Sequence, residues 1–249
     1  MGRRTKKVIV IVIILFILIL LLSKYSYNKE YDYLMKETKY ETPIYYLNNN
    51  KKIKIMIIAG IHGNEIGGIK AGENIIEEKY KWANMVIIPR ANNEACKLEV
   101  RNPYYMSDLN RAFPGNENGT DTEVLANEIF IKIKSEKPDF IIDLHEWDKR
   151  FDEDSKLLVN GLILNSIDNK LWKIAEKIYN EYNQLGVKDK LIIDIGTPKG
   201  SLNKEISERL NIPVLTIESN MNNPLDERID FQLYIIENLI RNYEMEGKI

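Results

Sequence analysis

The sequence predicts an α/β fold: one domain whose mostly parallel or mixed central sheet is covered by helices on both faces. Three observations predict it. From residue 53 onward, short apolar β-branched runs alternate with longer segments of helical periodicity. The 249 residues, 44% apolar and 29% charged, are enough for one generous packed domain. No internal repeat or low-complexity tract interrupts the alternation. The same composition excludes a disordered tail and a collagen-like repeat, and a single cysteine, Cys96, excludes a disulfide-stapled mini-protein.

The elements follow in order. Residues 1–27 stand apart as a basic stretch, RRTKK, followed by fifteen consecutive apolar residues, Val8 to Leu22. At ~1.5 Å per residue this run covers roughly 22 Å, and flanking Lys7, Lys24, Tyr25 and Tyr27 suit the membrane interface. No small-x-small cleavage site follows, so the run reads as an uncleaved signal anchor rather than a cleaved signal peptide. Basic residues stay in the cytoplasm, which places the body outside the cytoplasmic membrane. Residues 28–50, polar and tyrosine-rich, read as a juxtamembrane tether with an edge strand near Ile44–Leu47, and residues 51–249 as the folded domain.

Within that domain Ile53–Ala59 is a buried strand, followed by a helix from about Glu65 to Glu78. Met85–Pro89 is a second strand, and residues 90–119 form a long loop. Thr120 and Glu123 stand at capping-box spacing and open a helix that ends near Glu136. Phe140–Leu144 and Leu157–Leu164 are strands, Leu171–Leu185 a helix, Leu191–Ile195 a strand, Leu202–Leu210 a helix and Val214–Ile217 a strand. A closing helix runs from about Asp226 to Tyr243.

Charge narrows the function. Residues 1–27 carry Arg3, Arg4, Lys6, Lys7 and Lys24 and no acid, so the remainder of a chain of net charge −2 is acidic. An acidic body is a poor polyanion binder, which argues against nucleic acid as a partner.

Ligands collect at the carboxyl ends of strands in such sheets, and the informative residues sit there. The chain has only two histidines. His62 follows the strand Ile53–Ala59, with Glu65 three residues on, where a helix begins. His145 follows Phe140–Leu144, and Glu218 follows Val214–Ile217. Two imidazoles and one carboxylate, with room for water, make a catalytic zinc site of the His₂Glu type, although other divalent ions suit the same donors. The rival reading of Gly60–Gly68 as a phosphate-cradling loop lacks both the G-x-G-x-x-G order and a Gly-Lys-Ser/Thr ending. Cys96 reads as a small packed residue, and Glu146 and Asp148 as solvated loop acids.

Four motifs, AGIHGNE (59–65), SDLNRAFPG (107–115), IIDLHEW (141–147) and PVLTIES (213–219), together resemble the zinc carboxypeptidase superfamily, and most closely its succinylglutamate desuccinylase/aspartoacylase branch. The resemblance spans roughly residues 53–240 and implies a zinc carboxypeptidase-like fold. It implies that His62, Glu65 and His145 hold one zinc ion and that Glu218 is the general base that takes a proton from zinc-bound water. It assigns Asn110 and Arg111 to the substrate carboxylate and Asp108 to orienting a zinc-binding imidazole. Arg101 resembles the arginine that polarises the scissile carbonyl, with Arg90 as the substitute candidate. In two places the chain departs from the pattern. The position of the substrate-capping tyrosine of carboxypeptidases is taken by Ile195, and the further C-terminal domain of aspartoacylase-like enzymes is expected to be absent.

The expected function is zinc-dependent hydrolysis of the amide bond of an N-acyl amino acid or similar carboxylate-bearing substrate. The alternative is an extracytoplasmic metallocarboxypeptidase acting on short or cell-wall peptides. A third reading, a non-catalytic metal- or ligand-binding module, would be marked by loss of Glu218 or a zinc ligand, and none is lost.

Overall fold

The computed structural model describes residues 28–78, 80–148, 158–165 and 169–246. The expected membrane segment Val8–Leu22 lies outside the described residues, among which no helix is long and apolar enough to cross a membrane.

Strands β1 (Asn28–Leu34), β2 (Thr42–Asn48), β3 (Lys54–Ala59), β4 (Asn84–Ile88), β5 (Phe140–Trp147), β6 (Val159–Leu164), β7 (Lys190–Ile195) and β8 (Val214–Asn220) form one sheet in the order β1-β2-β4-β3-β5-β8-β6-β7. The central strands β4, β3, β5 and β8 run parallel, while β2 joins β4, and β6 joins β8, in the antiparallel sense. The sheet is therefore mixed, as expected. Its helices are α1 (Ile66–Glu78), α2 (Asn93–Leu98), α3 (Asp121–Glu136), α4 (Asn169–Gln184), α5 (Leu202–Leu210) and α6 (Leu225–Glu246), with a 3₁₀ turn at Leu109–Arg111.

Alternation along the strands divides the core. In β3, Ile55, Ile57 and Ala59 pack with Ile75 of α1, Ile174 and Ile178 of α4, and Ile235 and Leu239 of α6 in one cluster. Met56 and Ile58 enter the opposite cluster, with Leu125 and Ile129 of α3 and Leu202 and Ile206 of α5. Successive side chains point to opposite faces, so an unbroken apolar run is what a strand covered on both sides requires.

Three sequence expectations are corrected. Residues 28–50 are not a tether: β1 pairs with β2 along its whole length, and β2 pairs with β4, so this stretch builds one edge of the sheet. Residues 90–119 are not all loop, since α2 and the 3₁₀ turn lie within them; Asn92 caps α2 by accepting from Ala95 N–H at 3.1 Å. Finally, β5 and β8 continue past their apolar runs, so that His145 and Glu218 lie within strands instead of beyond them. The neighbours of β3 mark where a ligand can sit: β4, its successor, lies on one side and β5 on the other. The crevice at their carboxyl ends is a topological switch point.

Candidate metal centre

His62 and Glu65 leave that crevice from the β3–α1 connection. Gly63 between them passes so close to α2 that a Cβ would lie 2.1 Å from the carbonyl of Ala95. A side chain at this position would push the two elements apart. Across the switch point β5 presents Asp143 and His145 on one face. Parallel β8 places Thr216 opposite Asp143 and Glu218 opposite His145.

The donors converge. His62 Nδ1 lies 2.6 Å from Glu65 Oε1, and His145 Nδ1 lies 2.7 Å from Glu65 Oε2. Ligand atoms of the three residues lie within 4.8 Å of one another, and all three side chains are buried. Burial alone would raise the Glu65 carboxyl pKa; the His145 and His62 imidazoles reverse this and hold it at about 2. The distal imidazole nitrogens also meet carboxylates, His62 Nε2 at 3.0 Å from Asp108 Oδ1 and His145 Nε2 at 3.2 Å from Asp143 Oδ2. Two imidazole nitrogens turned inward, each ring anchored behind by an acceptor, are the donor chemistry of a divalent metal site, and two imidazoles with a carboxylate suit zinc.

Glu218 borders this cluster. Its side chain is partly buried, and its Oε2, shielded from solvent, has no hydrogen-bond partner among the described residues. Burial pushes its carboxyl up to about 8; His145 opposes this, and the acidic neighbours Glu65, Asp143 and Glu146 add to it. A carboxyl poised near neutrality can both accept and return a proton.

The remaining expected residues gather around a cavity of about 340 Å³ lined by His62, Glu65, His145, Glu218, Arg101, Asn110 and Arg111, among others. Asp108 Oδ1 accepts Asn110 N–H at 2.9 Å while Oδ2 accepts Arg101 Nη2 at 2.9 Å. Against the effect of half-burial, His62 and then Arg101 hold the Asp108 carboxyl well below the usual carboxylate range. Arg111 Nη1 donates to Asn110 O at 2.7 Å, and Asn110 Oδ1 accepts Leu202 N–H at 2.9 Å, which ties the turn to α5. Of the two arginine candidates, Arg101 lines the cavity, whereas Arg90 lies 2.6 Å from Glu73 in an ion pair outside it. Ile195 is 72% exposed and does not line the cavity.

One expectation fails here. Glu146 is no solvated loop acid: it is buried and bonded to Gly67, Ser219 and Arg228. Asp148 is exposed, as expected. Asp143, Thr216 and Asn203, which also line the cavity, were not singled out in the sequence. The signal for two of them was a period of two: Asp143 and Thr216 each stand two residues before a residue that was.

Comparison with known proteins agrees with the motifs. Residues 51–152 match the model of the succinylglutamate desuccinylase/aspartoacylase catalytic domain. An N-alpha-acetyl-L-2,4-diaminobutyric acid deacetylase of Halomonas elongata is 30% identical over 101 residues, 39% of this chain and 29% of that protein. The alignment thus spans less than a third of that relative's own length. An aspartoacylase family protein of Mesorhizobium loti superposes with a TM-score of 0.68 at 17% identity, covering 88% of this chain and 68% of the other. The tripeptide-bound cell shape determinant Csd4 of Helicobacter pylori gives 0.65 at 17% identity, covering 87% and 56%. These two likenesses show the fold, and the resemblance to the desuccinylase/aspartoacylase branch holds.

Proposed function

We propose that this chain, whose residues 51–152 match the succinylglutamate desuccinylase/aspartoacylase catalytic domain, is a zinc-dependent hydrolase that cleaves the amide bond of an N-acyl amino acid or similar carboxylate-bearing substrate. The observation that carries this reading is the convergence of His62, Glu65 and His145 beside Glu218, a partly buried glutamate whose solvent-shielded Oε2 has no hydrogen-bond partner among the described residues. A divalent cation held by those three residues supplies Lewis acidity, lowering the pKa of water from about 15.7 toward ~7 and polarising an acyl carbonyl.

The chain's own residues do the rest. Glu218 Oε2 takes a proton from the attacking water and returns it to the leaving amine nitrogen. The Arg111 guanidinium, with the Asn110 amide beside it, binds the substrate carboxylate and so fixes the amide at the reacting centre. Arg101, steadied by Asp108, faces the charge that develops on the acyl oxygen, a donor of a kind worth ~3–4 kcal/mol. The deacetylase relative makes N-acetylated amino acids the first substrates to test. The same reading has Val8–Leu22 anchor the domain on the outer side of the cytoplasmic membrane, checked by protease accessibility in intact cells.

Metal analysis of the purified chain beside H62A, H145A and E218Q, with a panel of N-acyl amino acids and short peptides, tests the function. The parent and E218Q should carry near-stoichiometric zinc, both histidine variants should lose it, and E218Q should lose turnover. Full retention of zinc in H62A or H145A, or parental turnover by E218Q, overturns the assignment. Turnover of peptides alone would make the chain a metallocarboxypeptidase, and zinc without turnover of either panel a binding module.

A further inference from the structure

The metal cluster and Glu218 face α3 and α5, but the residues next to them in sequence face the other way. Glu146, one residue after His145, points toward α1 and α6 and is 4% exposed. Its Oε2 accepts Gly67 N–H at 2.8 Å and Arg228 Nη1 at 3.1 Å, and its Oε1 accepts the Ser219 hydroxyl at 2.8 Å. Gly67 stands two residues after Glu65, and Ser219 one residue after Glu218. A single carboxylate is thus bonded beside one ligand and the base, and adjoins a second ligand in the chain.

We propose that Glu146 is a positioning residue of this site, a clamp behind the sheet that sets Glu65, His145 and Glu218 in mutual register. The inference rests on the metal-site reading above. Two further observations support it. Gln232 Nε2 donates to both His145 O at 2.9 Å and Ser219 Oγ at 3.1 Å, so α6 fastens the same two strands through a second side chain one turn from Arg228. The glycine at position 67 is also required by the clamp: a Cβ there would sit 2.3 Å from Glu146 Oε1. Gly67 N–H belongs to the first turn of α1, where backbone donors lack helical partners and a carboxylate is favourably placed. Glu146 therefore fixes the start of the helix at the point where Glu65 enters the cluster.

A strut that only held α6 in place would lower thermal stability and leave the zinc affinity of the folded protein unchanged. A positioning role makes zinc affinity the sensitive quantity, and partners behind metal ligands typically change affinity or activity by about 10–100-fold. Zinc affinity is read by competition with a chromophoric chelator on the full-length chain, well below the unfolding transition and with folding checked by circular dichroism. E146Q and G67A, which disturb the clamp from its two ends, should each weaken zinc by about 10–100-fold and lower kcat more than they change KM. R228K, which keeps the charge, should bind zinc more tightly than E146Q does. Folded E146Q or G67A with parental zinc affinity overturns the proposal, as does a fall in the thermal midpoint alone. If E146Q does not fold, G67A and S219A decide by the same criterion. A parent that takes up no zinc overturns the metal-site reading and this inference together, whereas parental binding in the variants overturns this inference alone.

Discussion

Substituting Gly161 by alanine tests the packing of the cavity wall beside the proposed base. Gly161 lies on β6 opposite Glu218 of β8 and Ile192 of β7, so both sides of its backbone are held by ladder pairing. A Cβ there would lie 2.1 Å from Trp147 Cη2 and 2.8 Å from Cζ2 and Cζ3. Because the strand is fixed, the indole must move, and with it goes the hydrogen bond from Trp147 Nε1–H to Val159 O, at 2.7 Å. Overpacking costs about 1–3 kcal/mol and the lost bond about 1 kcal/mol, so G161A should destabilise the protein by roughly 2–4 kcal/mol. Urea denaturation measures this, and tryptophan emission should shift to the red as the indole becomes more exposed. Turnover should fall as well, because Trp147 lines the cavity. A variant within about 0.5 kcal/mol of the parent with unchanged emission would refute the packing argument.

Two other predictions concern titration. In the chelated protein, Glu65 has a carboxyl pKa lowered from 4.5 to about 2, so its stabilisation is present above 4.5 and is lost as pH falls toward 2. His145 moves the other way: despite burial, Asp143 and Glu65 raise its pKa well above 6.5, so its contribution is full below 6.5 and is lost as pH rises. The partly buried Glu218 carboxyl, raised from 4.5 to about 8, also favours the folded state less as pH climbs through that window. Without metal these groups place maximum stability on the acid side of neutrality, and added zinc, which needs deprotonated ligands, should move it upward; a chelated protein most stable near pH 8 contradicts this. Burial pushes the Cys96 thiol up to about 12 and its Sγ lies 3.5 Å from Gly60 O, so a disulfide reagent at pH 8 should label it only at the rate of unfolding. Immediate labelling of the folded protein would show that the thiol is reachable.

Much of this architecture was legible because its signals are local. The Thr120–Glu123 capping box forms as the spacing predicts, with Thr120 N–H donating to Glu123 Oε2 at 2.8 Å. The apolar runs of β3 and β4 needed only their own composition. Strand β1, NKEYDYL, was missed because a polar segment on a sheet edge carries no apolar run, and α2, at six residues, is too short to show a period. Strands β5 and β8 looked shorter than they are for a different reason. Their apolar runs are followed by His145-Glu146 and by Glu218-Ser219-Asn220, polar because they build the site and the clamp behind it, and polarity after an apolar run reads as a loop. The proposed metal donors His62 and His145 were visible through the scarcity of histidine. Glu146 was not, because its partners Gly67, Ser219 and Arg228 are brought together only by the fold.

The two-sided use of β5 and β8 makes this region intolerant of a change in length. Side chains alternate in orientation, so deleting one residue from Val214–Ile217 while the pairing with β5 is kept would turn Glu218 toward α6 and send Ser219 into the cavity. A point substitution at one of these positions alters a single side chain and leaves the alternation of its neighbours in place. A single-codon deletion would exchange chemistry and scaffold in one event, so variation in the length of this chain is expected to accumulate in its loops and to spare these two strands.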